Sequence, residues 1–189
     1  MRAKAFPNAI LGVDPGTQCT GYALITNAQK DCDIITAGTI RLKSIKDHHA
    51  KLRHIFNSLY HIISDYRPQY MAIEAPFYGK NVQSMLKLGR AQGVALTCGM
   101  VKGLETTEYA PRKIKQSITG NGNASKEQVA AMLKQLMPEA DLSELNHDAT
   151  DALAVAYCHY LSLRNPITKG SAYKNWSDYL RANPDRDAK

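Results

Sequence analysis

Four carboxylates in this sequence stand where chemistry is easily built. Asp14 and Glu74 each close an apolar run that reads as a β-strand, Ala9–Asp14 and Tyr70–Glu74. Strand ends in α/β sheets are common places for ligand sites. Asp148 and Asp151 lie three apart at the start of an Ala-rich apolar stretch with helical character, a spacing that puts both on one helix face. Converging, the four would repel one another and lose water, and some would take up protons unless cations compensated. Two divalent cations would neutralise them, and hard oxygen ligands suit Mg²⁺, with Mn²⁺ as a substitute. Such a pair activates water and stabilises the leaving oxygen of a phosphodiester. Two of the acids also have a structural use: Asp14, before Pro15-Gly16, could form a turn, and Asp148 could cap a helix or answer its dipole; Glu74 at an apolar strand end and Asp151 on an apolar helix are harder to explain as structure. Convergence is inferred from type and spacing.

The elements that must position these acids follow from periodicity. Strands are expected at Ala9–Asp14, Gly21–Thr26 and Asp33–Arg41, joined by short connections that imply an antiparallel meander. A helix from about Asp47 to Tyr66 carries Leu52, Ile55, Phe56, Leu59, Ile62 and Ile63 at helical spacing. The strand at Tyr70–Glu74 follows, then a helix over Val82–Val101, a strand at Glu105–Tyr109, and helices from Ser125 to about Met137 and from Asp148 to about Leu163. Late strands alternating with helices imply parallel crossovers. The expected fold is α/β: a five-stranded mixed sheet with helices on both faces. Residues 1–163 form one domain in this reading, and 164–189 a basic polar tail around Trp176.

The chain has 189 residues, a formal net charge of +7 and a pI near 9.2. That balance favours a polyanionic partner. No apolar run reaches the ~20 residues of a membrane span, and the first nine residues lack the apolar core of a secretory signal. Cys19, Cys32, Cys98 and Cys158 are irregularly spaced, with no C-x-x-C pair. They read as small hydrophobes rather than a zinc site or a disulfide framework, which suits a cytoplasmic protein.

Candidate nucleic-acid contacts flank the acids. Phe77 follows Glu74 on a loop beyond Pro76, where an aromatic ring could stack on or wedge between bases, and Tyr78 could share the role. Pro111–Gln116 is a basic segment offering Arg112 and Lys115. It leads through a Gly/Asn loop to Ser125-Lys-Glu-Gln128, a capping-box pattern. Lys126 would then sit in a first helical turn, where the dipole disfavours a cation. A lysine there makes sense facing a phosphate. Lys80, Lys87 and Arg90 are weaker candidates, and His48, His49, His54 and His61 read as exposed. In the Val82–Val101 helix, Gly89 and Gly93 share a face, which suggests close packing against the sheet or across a twofold axis.

These residues resemble a known family. Ile10-Leu-Gly-Val-Asp-Pro-Gly-Thr-Gln-Cys-Thr-Gly-Tyr-Ala-Leu24 is similar to the first motif of the bacterial RuvC family, the Holliday junction resolvases. Ala72-Ile-Glu-Ala-Pro-Phe-Tyr-Gly-Lys-Asn81 is similar to its second, Leu86–Val94 to its central helix, and Asp148-Ala-Thr-Asp-Ala-Leu-Ala154 to its closing acidic motif. The resemblance implies a ribonuclease H-like fold, a homodimer, and Mg²⁺-dependent paired symmetric nicking of four-way DNA junctions in recombination and repair. It further implies a branch-migration helicase complex of the RuvA and RuvB type as partner. It maps catalysis and metal binding onto Asp14, Glu74, Asp148 and Asp151, an aromatic wedge onto Phe77, and backbone contacts onto Lys115 and Lys126. Some relatives carry His in place of the first acid of the last pair; here Asp148 fills that place and His147 is read as a solvated or capping residue. A sugar kinase or actin-like ATPase shares the strand ending in Asp-x-Gly-Thr but needs a second phosphate loop, which this chain lacks. A silent junction binder and a nuclease for RNA or hybrids are the other readings the fold allows.

Overall fold

The computed structural model describes residues 6–27, 32–76 and 81–164. The chain runs β1 (Ile10–Asp14), β2 (Cys19–Ile25), β3 (Ile34–Arg41), α1 (His48–Tyr66), β4 (Tyr70–Glu74), α2 (Val82–Val101), β5 (Glu105–Tyr109), α3 (Pro111–Thr119), α4 (Lys126–Leu136) and α5 (His147–Arg164). The sheet order is β3-β2-β1-β4-β5. The first three strands form the antiparallel meander, and β1–β4 and β4–β5 pair parallel. The mixed five-stranded sheet is as the sequence pattern implies.

Alternation along the strands feeds two cores. Ile10, Ala23 and Ala72 pack with α3, α4 and α5 on one face. Leu11, Val13, Leu24, Met71 and Ile73 pack with α1 and α2 on the other. Helices thus cover both faces. Local chemistry sets their ends. Asp47 caps α1 by accepting the Ala50 N–H at 2.7 Å. Ser125 and Gln128 form the reciprocal capping box expected for α4.

Strand β2 starts two residues earlier than the sequence reading placed it, at Cys19, and two further differences bear on the site. The segment Pro111–Gln116, read as a basic stretch without a defined element, is helix α3. Pro111 occupies its first turn, Gly120 ends it at φ 76°, and Ile114 and Ile118 are buried. Two apolar anchors in nine residues are too few to register as periodicity. Helix α5 begins at His147, and its cap is Asn146, whose side chain accepts the Ala149 N–H at 3.0 Å. Asp148 is therefore inside the first turn, and its carboxylate is not needed as a cap.

Helix α5 is buried along most of its length, from Ala152 to Tyr160. It can approach the sheet only because two strand residues lack side chains. A β-carbon at Gly12 would collide with the Ala152 carbonyl and lie 2.6 Å from the Ala156 nitrogen. One at Gly21 would overlap the Asp148 carbonyl oxygen. Both obstacles are backbone and cannot swing aside. Gly12→Ala should therefore destabilise the fold by about 2–3 kcal/mol, read as a lowered urea midpoint. An unchanged midpoint would mean that α5 does not press on β1 this closely.

Candidate active site

Asp14 ends β1 and Glu74 ends β4. Val13 and Ile73 are register partners in the parallel pair, so the two acids emerge side by side at the same end of the sheet. On the face that meets α5, Asp14 follows Gly12 by two residues and Glu74 follows Ala72 by two, the period that keeps side chains on one side. The two carboxyls share a hydrogen bond. Helix α5 brings Asp148 and Asp151 to the same region; both are half-buried.

Burial pushes the Asp14 carboxyl up to about 6, with the Asp151 charge adding to the effect. Burial again, then the Asp14 charge and the shared hydrogen bond, push Glu74 up to about 8. The pair titrates as a unit and holds a proton that an exposed pair would have lost. The Lys126 ammonium opposes this charge. It forms an ion pair with Asp151 and lowers both Asp14 and Glu74 relative to what burial alone would give. Asp151 in return raises the lysine above its usual value.

Two clefts meet at Glu74. One, of about 220 Å³, is bounded by Asp14, Pro15, Glu74, Pro76, Leu88 and Gln92. The other runs between α3, α4 and α5 past Lys115, Lys126, Val129 and Asp151. Lys115 and Lys126 thus share a groove with two of the acids. Arg112 does not line it; its side chain lies over Gly122. Lys87 and Arg90 stand on α2 near His48. His49, His54 and His61 are exposed as expected, but His48 is half-buried with its Nε2 shielded from solvent, and Arg90 and Lys87 of α2 and Lys51 of its own helix lie near it. His147 is exposed and stands near Glu127. Phe77, Tyr78, Lys80 and Trp176 lie outside the described residues. Cys98 and Cys158 are buried, Cys19 and Cys32 half-buried, all as free thiols.

Three neighbours of the acids were not legible beforehand. Gln92 lines the cleft and donates from Nε2 to Glu108. Cys19 hydrogen-bonds Asp148. Asn146 caps the acid helix and also donates from Nδ2 to Thr39 Oγ1 at 3.3 Å, tying the helix start to β3. Only Asn146 had a sequence signal, an Asx residue three before Ala149.

The donor set is all carboxylate, which suits a hard divalent cation. Two half-buried acids whose pKa values are raised make a site that favours added positive charge. Among the described residues no three His, Cys, Asp or Glu side chains form a preassembled ligand cage. Asp151 is turned to Lys126 and Asp148 to Cys19. The residues fit a metal in charge and donor type.

A mixed sheet of this order, with acids at the ends of its two central strands and on the helix that crosses them, defines the ribonuclease H-like class. Among solved structures, Thermus thermophilus RuvC matches with a TM-score of 0.74 at 23% identity, over 82% of this chain and 95% of that one. T. thermophilus RuvC in complex with a Holliday junction substrate matches with a TM-score of 0.75, over 82% and 94%. The family model for crossover junction endodeoxyribonuclease RuvC matches residues 10–159. The protein of that name from Porphyromonas gingivalis is 49% identical over 94% of this chain and 95% of its own. That from Bacteroides fragilis is 49% identical over 94% of both. The chain belongs to the RuvC family.

The raised acids make stability depend on pH in a defined direction. A carboxyl whose folded value lies above its unfolded one stabilises the fold while it stays protonated, and that contribution is lost as pH rises through the folded value. Metal-free protein should therefore lose stability between about pH 5 and pH 8–9. Glu74→Gln should flatten that slope and be more stable than wild type at pH 8 by roughly 2–4 kcal/mol. Melting temperatures across this range, with EDTA, check it; a wild-type protein that gains stability over the same interval would contradict the burial of this pair.

Proposed function

We propose that the protein is a crossover junction endodeoxyribonuclease that resolves four-way DNA junctions by paired symmetric nicks, using Mg²⁺ held by Asp14, Glu74, Asp148 and Asp151. The observation that carries the reading is the pair of half-buried acids side by side at the ends of β1 and β4, with Asp151 and two lysines in the adjoining groove. Asp14 and Glu74 are fixed by the sheet and would anchor the metal. Asp148 and Asp151, on a helix bound rigidly to that sheet, would complete the shell. Two bound ions would supply an activated water and stabilise the leaving oxygen. Lys115, half-buried in the groove, would hold a DNA phosphate over the acids, with Lys126 beside it and Arg112 further out. Phe77 and Tyr78, just past the Glu74 strand, would wedge into the branch.

The substrate's symmetry asks for two copies of the site. Helix α2 offers a surface for pairing: Val82, Leu86 and Met100 are exposed along the stripe that holds Gly89 and Gly93, and a β-carbon at either glycine would meet nothing within 4 Å. A homodimer through this face would cover that stripe. Cytoplasmic recombination and repair, with a RuvA- and RuvB-type branch-migration complex as partner, complete the reading. It is consistent with the finding that none of the described helices is long and apolar enough to cross a membrane.

A mobile synthetic junction incubated with Mg²⁺ or EDTA tests the activity. Mg²⁺-dependent paired nicks that spare linear duplex and hybrid controls are expected, and Asp14→Asn or Asp151→Asn should abolish cutting while binding survives. Cleavage of the hybrid instead would keep the acids and overturn the substrate. Lys115→Ala should weaken junction binding and reduce the salt slope by roughly one; an unchanged slope would remove Lys115 from the phosphate path. Leu86→Glu should convert a dimer to a monomer in sedimentation; a dimer that persists would place the interface elsewhere.

A further inference from the structure

Lys126 occupies an awkward place. It is the first residue of α4, where the helix dipole disfavours a cation. The capping box of Ser125 and Gln128 fixes the backbone there, so the side chain projects from a rigid base. It crosses to α5 and pairs with Oδ2 of Asp151, twenty-five residues away. The lysine side chain is 65% exposed and the aspartate side chain only 18%. Asp151 has thus given up most of its water, and Lys126 is the one cation paired with it among the described residues. Asp14 and Glu74 lie within electrostatic reach of the same ammonium.

The ammonium takes Oδ2 of Asp151 and cancels part of the negative charge that would draw a divalent cation to the same carboxylate, and the two positive charges repel each other at this distance. We propose that Lys126 is a displaceable counter-ion, whose ammonium competes with divalent metal for Asp151 in the DNA-free protein. The inference rests on the metal-dependent nuclease reading and deepens it. The exchange is easy because the lysine is mostly exposed, and an exposed ion pair is weak. Its long stem lies in the groove shared with Lys115, so a phosphate entering that groove offers the ammonium a new partner. Phosphate would then release Asp151, and by reciprocity DNA and metal would favour each other's binding.

The test is Mn²⁺ affinity of the DNA-free full-length protein, read by electron paramagnetic resonance titration. Wild type, Lys126→Met, Lys126→Arg and Asp151→Asn are compared, with metal-free melting temperatures confirming that each is folded. Lys126→Met should bind Mn²⁺ about three- to tenfold more tightly than wild type, on the order of the exchange of one weak ion pair. Lys126→Arg, which keeps the charge, should stay near wild type, and Asp151→Asn should weaken binding. Unchanged or weaker Mn²⁺ binding by Lys126→Met would overturn the proposal and leave the nuclease reading intact. Wild-type Mn²⁺ binding that Asp151→Asn does not weaken would overturn both, because Asp151 would then not be a ligand.

Discussion

Helix α5 touches the backbone of β1 and β2, and most of the molecule follows from that contact. Layers of helix and sheet normally stand apart by the length of two side chains. Here Gly12 and Gly21 on the strands meet Ala152, Ala156 and the Asp148 carbonyl on the helix, so the separation is set by main-chain atoms. The helix that carries two acids is thereby fixed against the strands that carry the other two. Asn146 adds a second restraint by capping the helix and bonding β3 through one side chain.

The price of such a site is charge. Strand ends place Asp14 and Glu74 next to each other and partly out of water, and the pair answers by keeping a proton. No packing argument explains why a stable fold would gather these residues, since the arrangement costs stability at neutral pH. A site with this much unbalanced negative charge favours added positive charge. Lys126 supplies a partial remedy from the opposite wall of the groove, held there by a capping box that is itself plain in the sequence.

How much of this could be read from the chain depended on periodicity and on residue type. The five strands, the meander and the four longer helices were visible because alternating or 3.6-residue apolar patterns run through them, as in Leu52–Ile63 of α1. The short helix α3 was not, since Ile114 and Ile118 alone make no pattern. The acids were visible because a carboxylate ending an apolar strand has little structural reason to be there. What stayed hidden depends on distant neighbours. Nothing in the sequence pairs Lys126 with Asp151, Cys19 with Asp148, or Gln92 with Glu108, and each contact joins elements brought together only by the tertiary fold. Gly89 and Gly93 were read as packing against the sheet or across a twofold axis; they do not meet the sheet, and the α2 glycine that does is Gly99, against Met71 and Thr106.

The parallel pairing of β1 with β4, and the late position of α5, also bear on when the site comes into being. Asp14 leaves the ribosome early, Glu74 sixty residues later, and Asp151 only after all five strands of the sheet. Each addition waits on long-range closure, which is slow compared with local helix formation. A chain truncated before α5 lacks Asp148 and Asp151 and so cannot assemble the four acids. Helix α5, the last helix among the described residues, carries Asp148 and Asp151, so the four acids come together only after every strand of the sheet has been synthesised.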